Sequence, residues 1–248
     1  MSEPAIVVDQ LGKRFRSVRT SSSLKQAALK LLRRRTRVEW TETLQGVSFQ
    51  VAEGETVGIV GRNGSGKSTI LALLAGIYRP SAGCITVRGR IGTILDLGAG
   101  LHNEVTAEDN AVVCSMIFGL TRKQALERMD DIIAFAGLEE FAETKVKHFS
   151  SGMILRLGFS VVVHTDPDVL LVDEVLAVGD EGFQRKCRHS ISAFQQQGKS
   201  IVFVSHDLNA VREVAQRVIW LDKGRLRMDG PADEVLAAYH AMMVAEGD

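Results

Sequence analysis

The sequence predicts an α/β fold: a mostly parallel sheet carrying a phosphate loop, a small antiparallel sheet near the N-terminus, and a helical insertion. Three observations predict it. The glycine-rich stretch GRNGSGKST (Gly61 to Thr69) lies between ETVGIV (Glu55 to Val60), a short apolar run of strand character, and TILALLAGIY (Thr69 to Tyr78), whose apolar residues recur at helical spacing. VLLVDE (Val169 to Glu174) and SIVFVSH (Ser200 to His206) are continuous apolar runs, as expected of parallel strands covered on both faces. Between these halves, Thr106 to His164 reads as mostly helical. With 248 residues, 45% hydrophobic and 24% charged, the chain is expected to form one domain over 1–248, with a helical subdomain at about 105–165.

Taken in order, Ala5 to Val8, Leu44 to Val51 and Cys84 to Arg88 read as the strands of the small antiparallel sheet. Between the first two, Arg16 to Trp40 holds eight basic residues and one acidic, Glu39, and includes the run Arg33, Arg34, Arg35. Leu24, Ala28, Leu31 and Leu32 share one face of a helix that would start after Ser21, Ser22 and Ser23. Two readings stand for this basic amphipathic helix: it lies on anionic head groups or a membrane partner, or it is simply solvated. Thr106 with Asp109 resembles an N-terminal capping box, with Asp in place of the usual Glu. Thr121 begins an amphipathic run through Ala125, Met129, Ile132, Ile133 and Phe135. A helix beginning near Glu181 separates the two apolar strands, and the hairpin VIWLDKGRLRMDG precedes a short helix at 231–248.

Thirty basic residues balance thirty acidic ones, so bulk charge argues for neither nucleic acid nor an acidic partner, and no nucleic acid is expected. Cys84, Cys114 and Cys187 lack metal or redox spacing and read as buried thiols of a reducing compartment. The start, MSEPAIVVDQ, lacks the basic lead and apolar run of a signal peptide. No stretch approaches the ~18 apolar residues needed to span a bilayer, so any membrane crossing is expected from another chain.

The chemistry begins at the loop. A strand, a glycine loop and a helix N-terminus aim backbone N–H groups of Gly61, Arg62, Asn63, Gly64, Ser65 and Gly66 at one point, where the helix dipole favours an anion. Lys67 is a mobile cation for β- and γ-phosphates, and Ser68, followed by Thr69, offers a hydroxyl to Mg²⁺. Asp173, at the end of an apolar strand, is a second metal ligand, directly or through water. Glu174 is placed to polarise the attacking water, and His206, at the end of the next apolar strand, to meet the γ-phosphate. FSSGMILRLGFS (Phe149 to Ser160) adds a second helix N-terminus capped by Ser150 or Ser151. Since one nucleotide does not need two such sites in one chain, this turn is expected to address a nucleotide held by a second copy in a two-fold homodimer.

The motifs in this order resemble the ATP-binding cassette (ABC) ATPases over about Ile6 to Tyr239. The resemblance implies a RecA-like core, ATP and Mg²⁺ as ligands, and Phe15 as the aromatic that stacks on adenine. FSSGM corresponds to the family's LSGGQ signature: Ser150 and Gly152 align with the residues that touch the partner's γ-phosphate, whereas Ser151 and Met153 replace the first glycine and the glutamine. Asp180 falls on the family's dimer-communicating aspartate. No glutamine occurs between Ile91 and Asn110, and Asp96 in ILDLGAG takes the place of the usual metal-touching residue. FSSGM, LDLGAGLHNE, DEVLAVGD, the basic insertion and DGPADEVLAAYH together resemble the ATPase components of bacterial exporters of O-antigen, capsular polysaccharide and teichoic acid. That implies a separate integral-membrane permease, a lipid-linked polysaccharide cargo and a place on the cytoplasmic face of the inner membrane. The chain stops nine residues after Tyr239 and is expected to lack the carbohydrate-binding domain of some O-antigen members. The alternatives are an ABC exporter of another lipid or a drug, and a soluble ABC ATPase acting on DNA or the ribosome; the long coiled coils or paired cassettes of the latter class are not seen.

Overall fold

A computed structural model describes residues 3–17, 39–95, 100–173 and 180–245. Most of the basic segment (18–38, with Arg33, Arg34 and Arg35), Asp96 and Glu174 lie outside the described residues.

The first strand is longer than its apolar residues suggest. β1 (Ile6–Ser17) pairs antiparallel with β2 (Glu39–Val51) on one side and with β4 (Ala82–Val87) on the other. Polar alternation hides its second half, because that part needs only one covered face. Arg16 is the register partner of Trp40, and Ser17 of Glu39. The ends assigned to the basic insertion are therefore strand, and the insertion leaves and re-enters through two paired residues.

The main sheet has the order β5-β6-β7-β3-β8-β9, where β3 is Thr56–Val60, β5 Ile91–Ile94, β6 Val169–Asp173, β7 Ser200–Val204, β8 Arg217–Asp222 and β9 Arg225–Pro231. The strands from β5 to β8 run parallel and β9 is antiparallel to β8. Every residue of β3 and β7 is buried, which accounts for their unbroken apolar character. At Gly58 a Cβ would stand 2.7 Å from Val211 Cγ1, so this glycine lets α6 (Leu208–Val214) lie close on the sheet.

Two cores lie on the two faces of this sheet. One joins Ile6, Val8, Leu11 and Leu44 of the small sheet to Ile70, Leu71 and Leu74 of α1 (Lys67–Leu74) and to Val57 and Ile59. The other packs α5 (Glu181–Gln196) and α7 (Ala232–Ala245) through Phe183, Ile191, Phe194, Val235 and Tyr239. Helix α1 stops at Leu74, short of the expected Tyr78, because Gly76 takes φ +72° and ends it.

A third core holds the helical part together: α2 (Ala107–Ile117), α3 (Arg122–Ala136) and α4 (Ser151–His164), through Ala111, Ile132, Ile133, Leu157 and Val161. Thr106 caps α2 by accepting from Asp109 N, while the full reciprocal capping box forms at Thr121 and Gln124. Cys114 and Cys187 are buried as expected, but Cys84, on an outer strand, is exposed. Among the described residues, no helix is long and apolar enough to cross a membrane.

Candidate functional site

The carboxyl ends of the parallel strands gather the chemistry, as open α/β sheets do. The loop leaving β3 is forced to be glycine at its first position. At Gly61 (φ +152°) a Cβ would stand 2.3 Å from the Leu221 carbonyl oxygen and 2.6 Å from Ser65 Oγ. At Gly66 (φ +105°) it would meet the Leu44 side chain at 2.6 Å. The loop is thereby wedged between β8 and β2, and the N-terminus of α1 opens directly from it.

Lys67 is buried, and its Nζ donates to the carbonyl oxygens of Gly61 at 2.7 Å and Arg62 at 3.1 Å. A cavity of about 330 Å³ is lined by Asn63, Gly64, Gly66, Lys67, Ser68 and Thr69. Thr43 of β2 and His206, beyond β7, complete its wall. Asp173 closes β6 as the register partner of Val204, with one carboxylate oxygen buried, and His206 follows Val204 by two residues. Asp173 and His206 thus leave adjacent strand ends on the edge where the loop sits. A larger cavity, about 530 Å³, opens around Asp168 and Lys199, at the opposite ends of the strands. Its cations are engaged, Arg88 by Glu3 and Lys199 by Asp168 at 3.8 Å and by Asp166 at 2.9 Å, and Glu53 adds negative charge, so it offers no open phosphate cradle.

Residues 44–177 match the family model for ABC transporters. The chain belongs to the ABC transporter family. It is 46% identical over 204 residues to the O-antigen export system ATP-binding protein RfbB of Myxococcus xanthus; the match covers 82% of this chain and 47% of that protein. It is 44% identical over 200 residues to the RfbB protein of Klebsiella pneumoniae, covering 81% of each. The chain thus spans about half the length of the first relative and four fifths of the second. The fold matches a solved dimeric ATP-binding cassette in a post-hydrolysis state bound to ADP and phosphate, with a TM-score of 0.73, 21% identity, and coverage of 92% and 98% of the two chains.

Within this ABC fold Ser150, Ser151, Gly152, Asp180 and Phe15 are not among the residues that line the cavity. Ser150 is the N-cap of α4, its Oγ accepting from Met153 N at 3.2 Å; Ser151 is exposed and Gly152 half-buried beside it. Asp180 caps α5, accepting from Phe183 N at 2.9 Å. That hydrogen bond holds its carboxyl below the usual aspartate range. Phe15 is half-buried on β1 and meets the ring of Tyr78, and it is not among the residues lining the cavity.

Sequence reasoning missed the supports of the loop. Thr43 lines the cavity, yet nothing in its local sequence marks it. The β8–β9 turn has Lys223 and Gly224 both at positive φ, and Gly224 N donates to Ser65 O at 3.1 Å. Gln45 N in turn donates to Gly224 O at 2.8 Å, so the turn clasps the phosphate loop to β2. The only signal was the dipeptide KG inside a hairpin pattern.

Proposed function

We propose that the chain is the ATP-hydrolysing subunit of an ABC exporter that moves lipid-linked cell-surface polysaccharide, working as a homodimer with a separate integral-membrane permease on the cytoplasmic face of the inner membrane. The observation that carries the cargo is the 44% identity to an O-antigen export ATP-binding protein over 81% of both chains. The absence of a membrane-crossing helix among the described residues agrees with a peripheral subunit.

The geometry supports the ATPase chemistry. The N–H groups of the loop and the N-terminus of α1 receive the β- and γ-phosphates. Lys67 Nζ exchanges its bonds to the Gly61 and Arg62 carbonyls for phosphate oxygens, a short move since it already lies in the cavity wall. The Ser68 hydroxyl and the Asp173 carboxylate are hard oxygen donors that suit Mg²⁺, an ion that keeps waters and phosphate oxygens in its shell. Held by Ser68 and Asp173, the ion would supply positive charge to neutralise that developing on the triphosphate. Glu174 is assigned as the residue that polarises the attacking water, and His206 as the donor that fixes it against the γ-phosphate. Asp96 is assigned a place beside the metal.

Ser150 and Gly152 stand at a helix N-terminus that does not line the chain's own cavity, which suits a contact to the nucleotide of a second copy. ATP is then held between subunits, Asp180 lies on the communicating face, and hydrolysis releases the pair. Co-purification tests the role: a polytopic membrane protein recovered with the tagged chain supports it, whereas ribosomes or DNA without such a protein would refute it.

A further inference from the structure

Phe15 lies outside the cavity wall, so its assigned part in holding adenine depends on what aims its ring. We propose that Tyr78 and Lys13 are positioning residues for the nucleobase, clamping the Phe15 ring at a fixed angle and tying it to the helix that carries the phosphate loop. The proposal rests on the reading of Phe15 as the adenine platform.

The strand register places Phe15 relative to the cavity. Phe15 is the partner of Thr41 on β2, and Thr43, two residues further along that strand, lines the cavity. The register shifts between Lys13 and Arg14, whose partners are Leu44 and Glu42, so Thr43 is the extra residue of a bulge and stands within roughly 7 Å of Thr41 along the strand. Phe15 therefore stands beside the cavity mouth, at a separation that a nucleobase and its ribose span.

Tyr78 reaches the same ring from the other side. The amides of Ile77 and Tyr78 both donate to Ala72 O, at 2.9 and 3.2 Å, which anchors Tyr78 to the last turn of α1. Its ring meets Phe15 edge-on, with centroids 5.3 Å apart and planes at 77°. Lys13 Nζ lies 5.0 Å from the Phe15 centroid and 5.1 Å from that of Tyr78, and donates to Arg79 O at 2.8 Å. The edge-on pair and the ammonium both act through the ring quadrupole, so each restricts the tilt of Phe15. An aromatic on the rim of a strand otherwise samples several rotamers, and fixing it beforehand lowers the ordering cost of binding. Because α1 carries the phosphate loop at one end and Tyr78 just past the other, the span between base and triphosphate is set by one rigid helix.

The test is titration calorimetry of the full chain with Mg-ATP and with Mg-tripolyphosphate, which lacks the base, together with steady-state hydrolysis. Phe15→Ala is expected to weaken ATP on the order of ten-fold or more, the scale of a lost base–aromatic stack, and to leave tripolyphosphate unchanged. Tyr78→Leu and Lys13→Met are each expected to weaken ATP roughly three- to ten-fold, as loss of an edge-on pair or a cation over the ring would, again sparing tripolyphosphate and raising KM without lowering kcat. Tyr78→Phe keeps the ring edge and is expected to restore wild-type binding. If Phe15→Ala leaves ATP affinity unchanged, the platform reading fails and the proposal with it. If Phe15→Ala weakens ATP while Tyr78→Leu and Lys13→Met do not, the platform stands and the positioning role is overturned. A loss of tripolyphosphate affinity in Tyr78→Leu equal to that for ATP would place its effect on the phosphate loop and likewise overturn it.

Discussion

Lys67 Nζ and the Gly61 carbonyl oxygen, 2.7 Å apart, close the phosphate loop upon itself. The bond needs Gly61 where it is, because Leu221 O and Ser65 Oγ leave no space for a Cβ.

Gly61→Ala is accordingly expected to abolish ATP binding and to destabilise the fold by on the order of 2 kcal/mol, through backbone displacement against β8. Gly64 has nothing within 4 Å of its notional Cβ, only a left-handed φ of +79°. Gly64→Ala is expected to cost about 1 kcal/mol and to keep measurable ATP binding. Denaturant melts and nucleotide titration of the two variants check this ranking.

Glu174→Gln is expected to keep ATP binding, to reduce turnover close to zero and to leave an ATP-dependent dimer that persists on size exclusion. Near-normal hydrolysis would refute Glu174 as the residue that activates water.

Asn110 is buried and holds the loop ahead of α2. Its Nδ2 donates to the carbonyls of His102, Val105 and Thr106 at 3.1, 3.1 and 2.8 Å, and its Oδ1 accepts from His102 N at 2.7 Å. Asn110→Ala is expected to cost about 2–4 kcal/mol in urea denaturation, several net hydrogen bonds together with the buried backbone groups left unpaired.

The thiols differ in access and ionisation. Burial pushes Cys114 up to about 11 and Cys187 up to about 12, while Cys84 is exposed. At pH 8 iodoacetamide is expected to label Cys84 alone in the folded chain, and all three after denaturation; mass spectrometry of the digests reads the result.

Asp166 gives a pH dependence. The hydrogen bond from Lys199, 2.9 Å away, lowers its carboxyl below the ordinary value of 3.8. A lowered folded-state value means that the stabilisation is fully present above pH 3.8 and is lost as pH falls through the folded value. Asp166 has φ +51°, which asparagine tolerates. Asp166→Asn is thus expected to lower Tm at neutral pH, with the difference from wild type vanishing at strongly acid pH.

The residues that were legible in the sequence are those whose local backbone does the work. The loop from Gly61 to Thr69 is readable because Gly61 and Gly66 leave no space for a Cβ and Gly64 takes a left-handed φ, and β3, β6 and β7 because both their faces are covered. His206 was legible from its place at the end of an apolar run. Thr43 and Gly224 were not, because their contacts to the loop come from strands distant in sequence. Neither was the meeting of Lys13, Phe15 and Tyr78, which only tertiary packing brings about. The second half of β1 stayed hidden because a strand on a small antiparallel sheet alternates with polar residues. Helix α1 ends before its apolar spacing does, because the left-handed turn at Gly76 outweighs that spacing.

Export of a lipid-linked polysaccharide is the proposed work done with ATP. The most direct measurement is the ATPase rate of the chain reconstituted in liposomes with the proposed permease, against lipid-linked glycans, sugar-free carrier lipids and amphipathic drugs. Polysaccharide export predicts stimulation by a lipid-linked glycan and none by the sugar-free carrier. Stimulation by a drug or a sugar-free lipid alone, with no response to any lipid-linked glycan, would contradict it.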